Sequence, residues 1–224
     1  MDASARRQNR LVITGLILSI VFLFVLFIGV GFLHLTYVDR ILYSRFIFWG
    51  ECLLLMLFAT RVERQPFLLW DDKSINLIFF LVSVVVLYLL SWVCAIFSAV
   101  PRMLGLHENN EAFKRVALVF MHRPWLMFFT ALTAGVTEEL IFRAYILTRL
   151  AQIIRNKYLP VIISAFAFAA LHYGYHNLGE LIFVFLIGIL FGAYYQKYRN
   201  IQALIVVHFM IDIINLSIST HFYK

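Results

Sequence analysis

Two stretches of this chain decide most of what it can become: Leu11 to Leu35 and Ile75 to Val100 contain no Asp, Glu, Lys or Arg. A helix needs roughly 20 mostly apolar residues to cross the hydrocarbon core of a bilayer, and both runs are longer than that. Apolar residues make up 63% of the sequence and charged residues only 14%, whereas soluble domains average about 25% charged. A transmembrane β-barrel would show shorter, alternating segments instead. The sequence therefore predicts an all-α fold: a polytopic transmembrane helix bundle of about seven spans.

The expected spans are 11–35, 41–59, 75–100, 124–148, 159–176, 178–196 and 201–220. A polar loop, Thr60 to Ser74, holds Arg61, Glu63, Arg64, Asp71, Asp72 and Lys73. Between Arg102 and Arg123, Glu108, Glu111, Lys114 and Arg115 alternate with apolar residues, the pattern of an amphipathic helix lying in the interface. Arg149 to Tyr158 reads as a basic connector. With no repeat and no Pro/Gly/Ser linker, 1–224 is one membrane domain. Its core helices are 124–220, and 1–123 supplies N-terminal helices and the interfacial segment. Arg6, Arg7 and Arg10 precede the first apolar run as in a secretory signal. That run exceeds the roughly 7–15 residues of a signal core and lacks a small-residue cleavage site, so a retained helix is expected.

The net charge is +7, but no basic cluster is large enough to follow nucleic acid. The partner of such a surface is the lipid bilayer. If the N-terminus is cytoplasmic, eleven Lys and Arg (Arg149 and Lys73 among them) fall on that side and six, including Lys224, on the other. That asymmetry is expected of a cell-membrane protein. Cys52 and Cys94 lie in apolar runs and read as small hydrophobes.

Ionisable groups deep in spanning helices are costly and mark function by default. The fourth helix carries Glu138, Glu139 and Arg143. At 1.5 Å per residue, Glu138 lies roughly 16 Å from the Arg149 end, near the bilayer centre. Glu139 and Arg143 are four apart, share a face and can pair. Glu138 has no such partner, which suits a general base. The fifth helix carries His172 and His176, and the seventh His208, Asp212 and Asn215. Counted from their common side, Glu138, His172, His208 and Asp212 all lie roughly 10–20 Å deep. Taken alone, each has a structural reading: a packing ion pair, an interhelical hydrogen bond, or for His176 an interfacial place. Arg45 and Glu51 in the second helix read as near-interface or paired residues.

Two glutamates, two histidines and an aspartate in one layer suit water activation, with no serine or cysteine nucleophile beside them. Glu138 would take a proton from water with His172, and His208 with Asp212 would orient or stabilise the substrate carbonyl. No cofactor is expected. The rival is a divalent metal such as zinc, which Glu and His can bind, with His172 and His176 at i, i+4. A helical zinc protease would show His-Glu-x-x-His, and here Tyr173 follows His172.

These residues resemble the CAAX prenyl protease and bacteriocin-processing family of glutamate-type intramembrane proteases. Glu138, Glu139 and Arg143 match its Glu-Glu-x-x-x-Arg motif, Phe168 and His172 its Phe-x-x-x-His, and His208 and Asp212 its His-x-x-x-Asn/Asp. The resemblance covers about 124–220. It implies an intramembrane endopeptidase acting on a membrane-associated or lipidated peptide or protein, with Glu138 and His172 activating water and His208 and Asp212 as the oxyanion pair. Asp212 stands where some members have Asn, and an ionised Asp is a poor oxyanion donor. Two other classes stay open: a non-proteolytic regulator or bacteriocin-immunity protein of the same fold, and an ion-coupled transporter, although the paired repeats common in transporters are missing.

Overall fold

The computed structural model describes residues 3–70, 76–106 and 108–223, so Asp71, Asp72, Lys73, Ile75 and Lys224 lie outside the described residues. All its regular elements are helical: α1 (Ala3–Phe32), α2 (Tyr37–Leu57), α3 (Leu77–Ser98), α4 (Val100–Met103), α5 (Glu111–His122), α6 (Pro124–Thr133), α7 (Thr148–Ile153), α8 (Leu159–Ala170), α9 (Leu178–Tyr198) and α10 (Ile201–Phe222). A π-helical turn, Phe58–Glu63, extends α2, and a π-helical stretch, Ala134–Leu147, joins α6 to α7. Among the described residues six segments are long and apolar enough to span a bilayer: Ser4–Phe32, Tyr37–Glu63, Leu77–Met103, Pro124–Ile153, Leu178–Tyr198 and Ile201–Phe222. The chain is an integral membrane protein.

Local chemistry sets the helix starts. Asn76, Asn177 and Asn200 accept the N–H of Phe79, Glu180 and Ala203, and Thr36 accepts that of Asp39; each satisfies one donor that a helix start leaves free. Pro124 and Pro160 stand in the first turns of α6 and α8, where a missing N–H costs nothing. Outward faces are apolar (Ile78, Val85, Trp92 and Phe166 are exposed), as lipid demands. The interfacial segment forms α5, which buries Ala117 and Phe120 and exposes Lys114 and Arg115.

The fifth expected span departs from its reading. α8 is 12 residues long, roughly 18 Å, against about 30 Å of hydrocarbon. It ends at Ala170, and a single 3-10 turn, Tyr173–Tyr175, follows before α9. α8 and α9 pack closely because small residues meet: a Cβ on Gly188 would come within 2.8 Å of the Ala165 Cβ, and one on Gly192 within 3.0 Å of Val161. Close approach through small side chains is the usual means of helix association in lipid.

Two residues assigned to loops are buried instead. Glu63 ends the π-helical turn, and Arg149 lies in α7 rather than in a connector. Arg149 Nη2 lies 3.1 Å from Glu63 Oε2, with both side chains fully buried. Arg149 also donates to the carbonyls of Phe67 (2.7 Å) and Pro66 (2.9 Å), and its guanidinium lies 4.4 Å from the Tyr145 ring centroid. Tyr145 Oη donates to Glu63 Oε1 at 2.8 Å. From α1, Gly15 completes this knot: any Cβ there would strike Tyr145 Oη and the side chains of Phe58 and Glu63. Helix periodicity hides such a pair, because its partners are 86 residues apart.

Removing one partner of a buried pair strands the other charge, at a cost of roughly 3–5 kcal/mol. Arg149→Ala should therefore lower the melting temperature in detergent far more than substitution of the exposed Lys114. Equal melting points for the two variants would show that the knot contributes nothing.

Candidate active site

The π-helical stretch carries the acidic centre. Such helices are rare, usually single turns, and frequent at functional sites; this one runs for 14 residues. Threonines flank it. Thr137 Oγ1 donates to the Thr133 carbonyl (2.7 Å) and Thr148 Oγ1 to that of Ala144 (2.6 Å). A hydroxyl on that carbonyl competes with the N–H four residues on, a known way of loosening an α-helix. The sequence pattern read this region as ordinary α-helix.

The expected ion pair is present: Arg143 Nη1 lies 2.9 Å from Glu139 Oε1, with both side chains buried. The guanidinium sits between two aromatic faces, 4.4 Å from the Phe168 centroid and 5.4 Å from that of Phe191. The sequence did not disclose that Glu139 also holds His208. His208 Nδ1 is 2.7 Å from the same Oε1. Its other nitrogen, Nε2, lies 3.8 Å from Glu138 Oε2 and 3.8 Å from Asp212 Oδ2. Glu139 rather than Asp212 therefore orients His208. Among the described residues no protein group hydrogen-bonds Glu138 Oε2, Glu139 Oε2 or Arg143 Nη2, so each can take a partner from water or substrate.

His172 lies just past α8, on the irregular turn that the short helix leaves. Non-helical backbone at membrane depth is tolerated where it is buried in protein or lines a watered cavity. Its Nδ1 is 3.2 Å from the Phe168 carbonyl. A carbonyl only accepts, so Nδ1 carries the proton and the neutral ring keeps its lone pair on Nε2. The Phe168 ring lies between the two histidines, 5.2 Å from His172 and 6.0 Å from His208. The expected set, Glu138, Glu139, Arg143, His172, His208 and Asp212, is thus drawn together from three elements, although no hydrogen bond joins His172 to Glu138. His176 stands apart, exposed and in left-handed backbone with φ 52°, so it shares no helix face with His172. Among the described residues no three His, Cys, Asp or Glu side chains are grouped to hold a metal ion.

Several neighbours were not read as part of the site. Tyr175 stacks on His172 (6.0 Å, 23°) and on Phe113 of α5 (5.0 Å, 14°), so the amphipathic helix walls one end of the site. Arg45 is neither interfacial nor ion-paired among the described residues. It is half-buried, donates from Nε to Ser44 Oγ at 3.2 Å, and its charge acts on Glu138, His172, Tyr175 and Asp212. The signal that flagged Glu138, an ionisable group within an apolar helix, applied equally to Arg45; what it lacked was a partner at i+4. Glu51, read as near-interface or paired, is fully buried, and no described group bonds either carboxylate oxygen.

A buried acid–imidazole–guanidinium centre inside a helical membrane bundle defines a class of intramembrane enzyme sites. Residues 120–214 match the family model "Type II CAAX prenyl endopeptidase Rce1-like". Over that segment the chain belongs to the Rce1-like CAAX endopeptidase family, as the three motifs had implied. All six expected residues fall inside the match, whereas α1 to α5, apart from the last turn of α5, precede it. No curated protein and no solved structure matches the chain.

Gly135 sets how closely α10 approaches the acidic centre. A Cβ there would lie 3.0 Å from the Ile205 carbonyl oxygen, 3.0 Å from the Phe209 nitrogen and 3.2 Å from its Cα. These are backbone atoms on either side of His208 and cannot swing away. Gly135→Ala should displace α10, destabilise the fold by about 1–3 kcal/mol as overpacking does, and loosen the His208–Glu139 contact. A melting temperature equal to that of the parent would show that the contact has slack.

Proposed function

We propose that the protein is an intramembrane endopeptidase that hydrolyses a peptide bond in a membrane-associated or lipidated peptide or protein by direct water activation. Membership of a CAAX endopeptidase family supports peptidase chemistry. The observation that carries the mechanism is the division of labour between adjacent carboxylates: Glu139 is engaged by Arg143 and His208, whereas Glu138 Oε2 is buried with no hydrogen-bond donor. Glu138 takes a proton from water as the water oxygen bonds to the carbonyl carbon, then returns it to the departing amine nitrogen. His172 presents Nε2 to the same water. Glu139 fixes the ring of His208. Asp212, an acceptor when ionised, suits a substrate N–H.

The same reading places the protein in the cell membrane with its N-terminus cytoplasmic, supported by the Lys and Arg asymmetry of the loops. Arg149 leaves that loop count because it is buried against Glu63; ten against six keeps the sign. The reaction is assigned to the side chains alone, with no metal.

Purified protein in detergent should cleave fluorogenic lipopeptides from a candidate library. Glu138→Ala and His172→Ala should each lose about 100-fold or more, the usual worth of a positioned base, and a chelator should leave the parent rate unchanged. Cleavage abolished by the chelator would replace direct water activation by a metal mechanism. A folded protein that cleaves nothing, while Glu138→Ala retains full biological activity, would favour the non-proteolytic regulator or immunity protein.

A further inference from the structure

Hydrolysis at Glu138 places negative charge on the substrate carbonyl oxygen, which needs a donor aimed at it. The donors nearest Glu138 are committed elsewhere. His172 Nδ1 faces the Phe168 carbonyl at 3.2 Å, and Nε2 of the neutral ring has a lone pair rather than a hydrogen. His208 Nδ1 is held by Glu139 at 2.7 Å, and its Nε2 faces two carboxylates at 3.8 Å each. Arg143 is bonded to Glu139 and enclosed by Phe168 and Phe191. An ionised Asp212 only accepts. The oxyanion role that the family resemblance gives to His208 and Asp212 therefore lacks a free N–H.

Arg45 has what they lack. Its Nε is anchored on Ser44 Oγ at 3.2 Å, and its guanidinium lies 5.2 Å from the Phe48 ring centroid. No described carboxylate lies within ion-pair distance of it, and its two terminal amino groups donate to no described residue. Its charge acts on Glu138 more strongly than that of Arg143 does. A cation within the field of the base, yet beyond contact with it, leaves room between them for a reacting group. α2 is held in place for this: Trp49 Nε1 donates to Thr133 Oγ1 at 3.1 Å, and Cys52 Sγ lies 3.6 Å from the Thr137 carbonyl, next to Glu138.

We propose that Arg45 is the oxyanion donor of this site, a catalytic residue supplied by α2 from outside the 120–214 family segment. The assignment rests on hydrolysis at Glu138. As the water oxygen bonds to carbon and Glu138 takes the proton, the carbonyl π pair moves onto oxygen, where Arg45 N–H groups hold it. The pair returns to re-form the carbonyl as the C–N bond breaks, and the Glu138 proton goes to the amine nitrogen. Tyr175, whose ring borders the same space, is the competing donor.

The test compares parent, Arg45→Gln, Arg45→Lys and Tyr175→Phe on one cleaved lipopeptide, made both as C-terminal acid and as amide. Melting temperatures confirm folding. Arg45→Gln should lower kcat about 100-fold, the usual loss for one oxyanion donor, with KM changed less than about threefold. Acid and amide should suffer alike. Arg45→Lys should recover part of the rate. Affinity for a peptide phosphonate, whose tetrahedral anion imitates the intermediate, should fall in proportion to kcat for both Arg45 variants. Should Arg45→Gln lose its fold, Arg45→Lys carries the same comparison. A loss confined to KM and to the acid peptide would overturn the proposal and make Arg45 an anchor for a substrate carboxylate. An undiminished Arg45→Gln beside a crippled Tyr175→Phe would give the role to the tyrosine, with hydrolysis at Glu138 intact. Failure of the parent to cleave any peptide would remove both readings together.

Discussion

One oxygen atom organises this site. Glu139 Oε1 receives Arg143 from its own helical stretch and His208 from α10. In the middle of a bilayer neither a bare carboxylate nor a bare guanidinium is tolerable, so the three groups must find one another for the helices to assemble at all. Once they have, the register of α10 against the π-helical stretch is fixed, and with it the positions of Glu138 and Asp212. Shape supports charge: Gly135 brings the α10 backbone close enough for His208 to reach, and Phe168 and Phe191 enclose the guanidinium. The reactive carboxylate is therefore left over by construction, since its neighbour absorbs the available charge.

Much of this was legible in the sequence because membranes make polar residues conspicuous. Glu138, Glu139 and Arg143 announced themselves within an apolar helix, and the four-residue spacing gave the Glu139–Arg143 pair directly. Counting residues from a shared membrane side placed His172, His208 and Asp212 at a matching depth, and they are neighbours. Depth is one coordinate, however. It does not say which atom meets which, so the Glu139–His208 bond stayed hidden and Asp212 was given the task of orienting the imidazole.

The rest escaped for related reasons. Apolar periodicity measures helix length but not helix type, so the π-helical run of 134–147 looked like α-helix, and its cause lies in threonine hydroxyls at the two ends. Similarly, an unbroken apolar pattern over 159–176 concealed the end of α8 at Ala170. Arg45 and Glu51 lacked partners nearby in sequence, and a lone charge near a helix end is most simply assigned to the interface. Glu63 and Arg149 were counted as loop charges because each is adjacent to polar residues. Only the fold shows that they neutralise one another.

That last pair bears on where this protein can be divided. Sequence similarity draws a boundary at residue 120, and every motif lies beyond it. The folded molecule respects no such line. Arg149 is satisfied by Glu63, Pro66 and Phe67, and Tyr145 by Glu63, with α1 pressed against both at Gly15. A fragment beginning at the family boundary would retain all six motif residues and carry a buried guanidinium with no anion to meet it. The recognisable half and the unrecognised half are one thermodynamic object, so grafting the motif helices onto another scaffold would need Glu63 and its flanking carbonyls to travel with them.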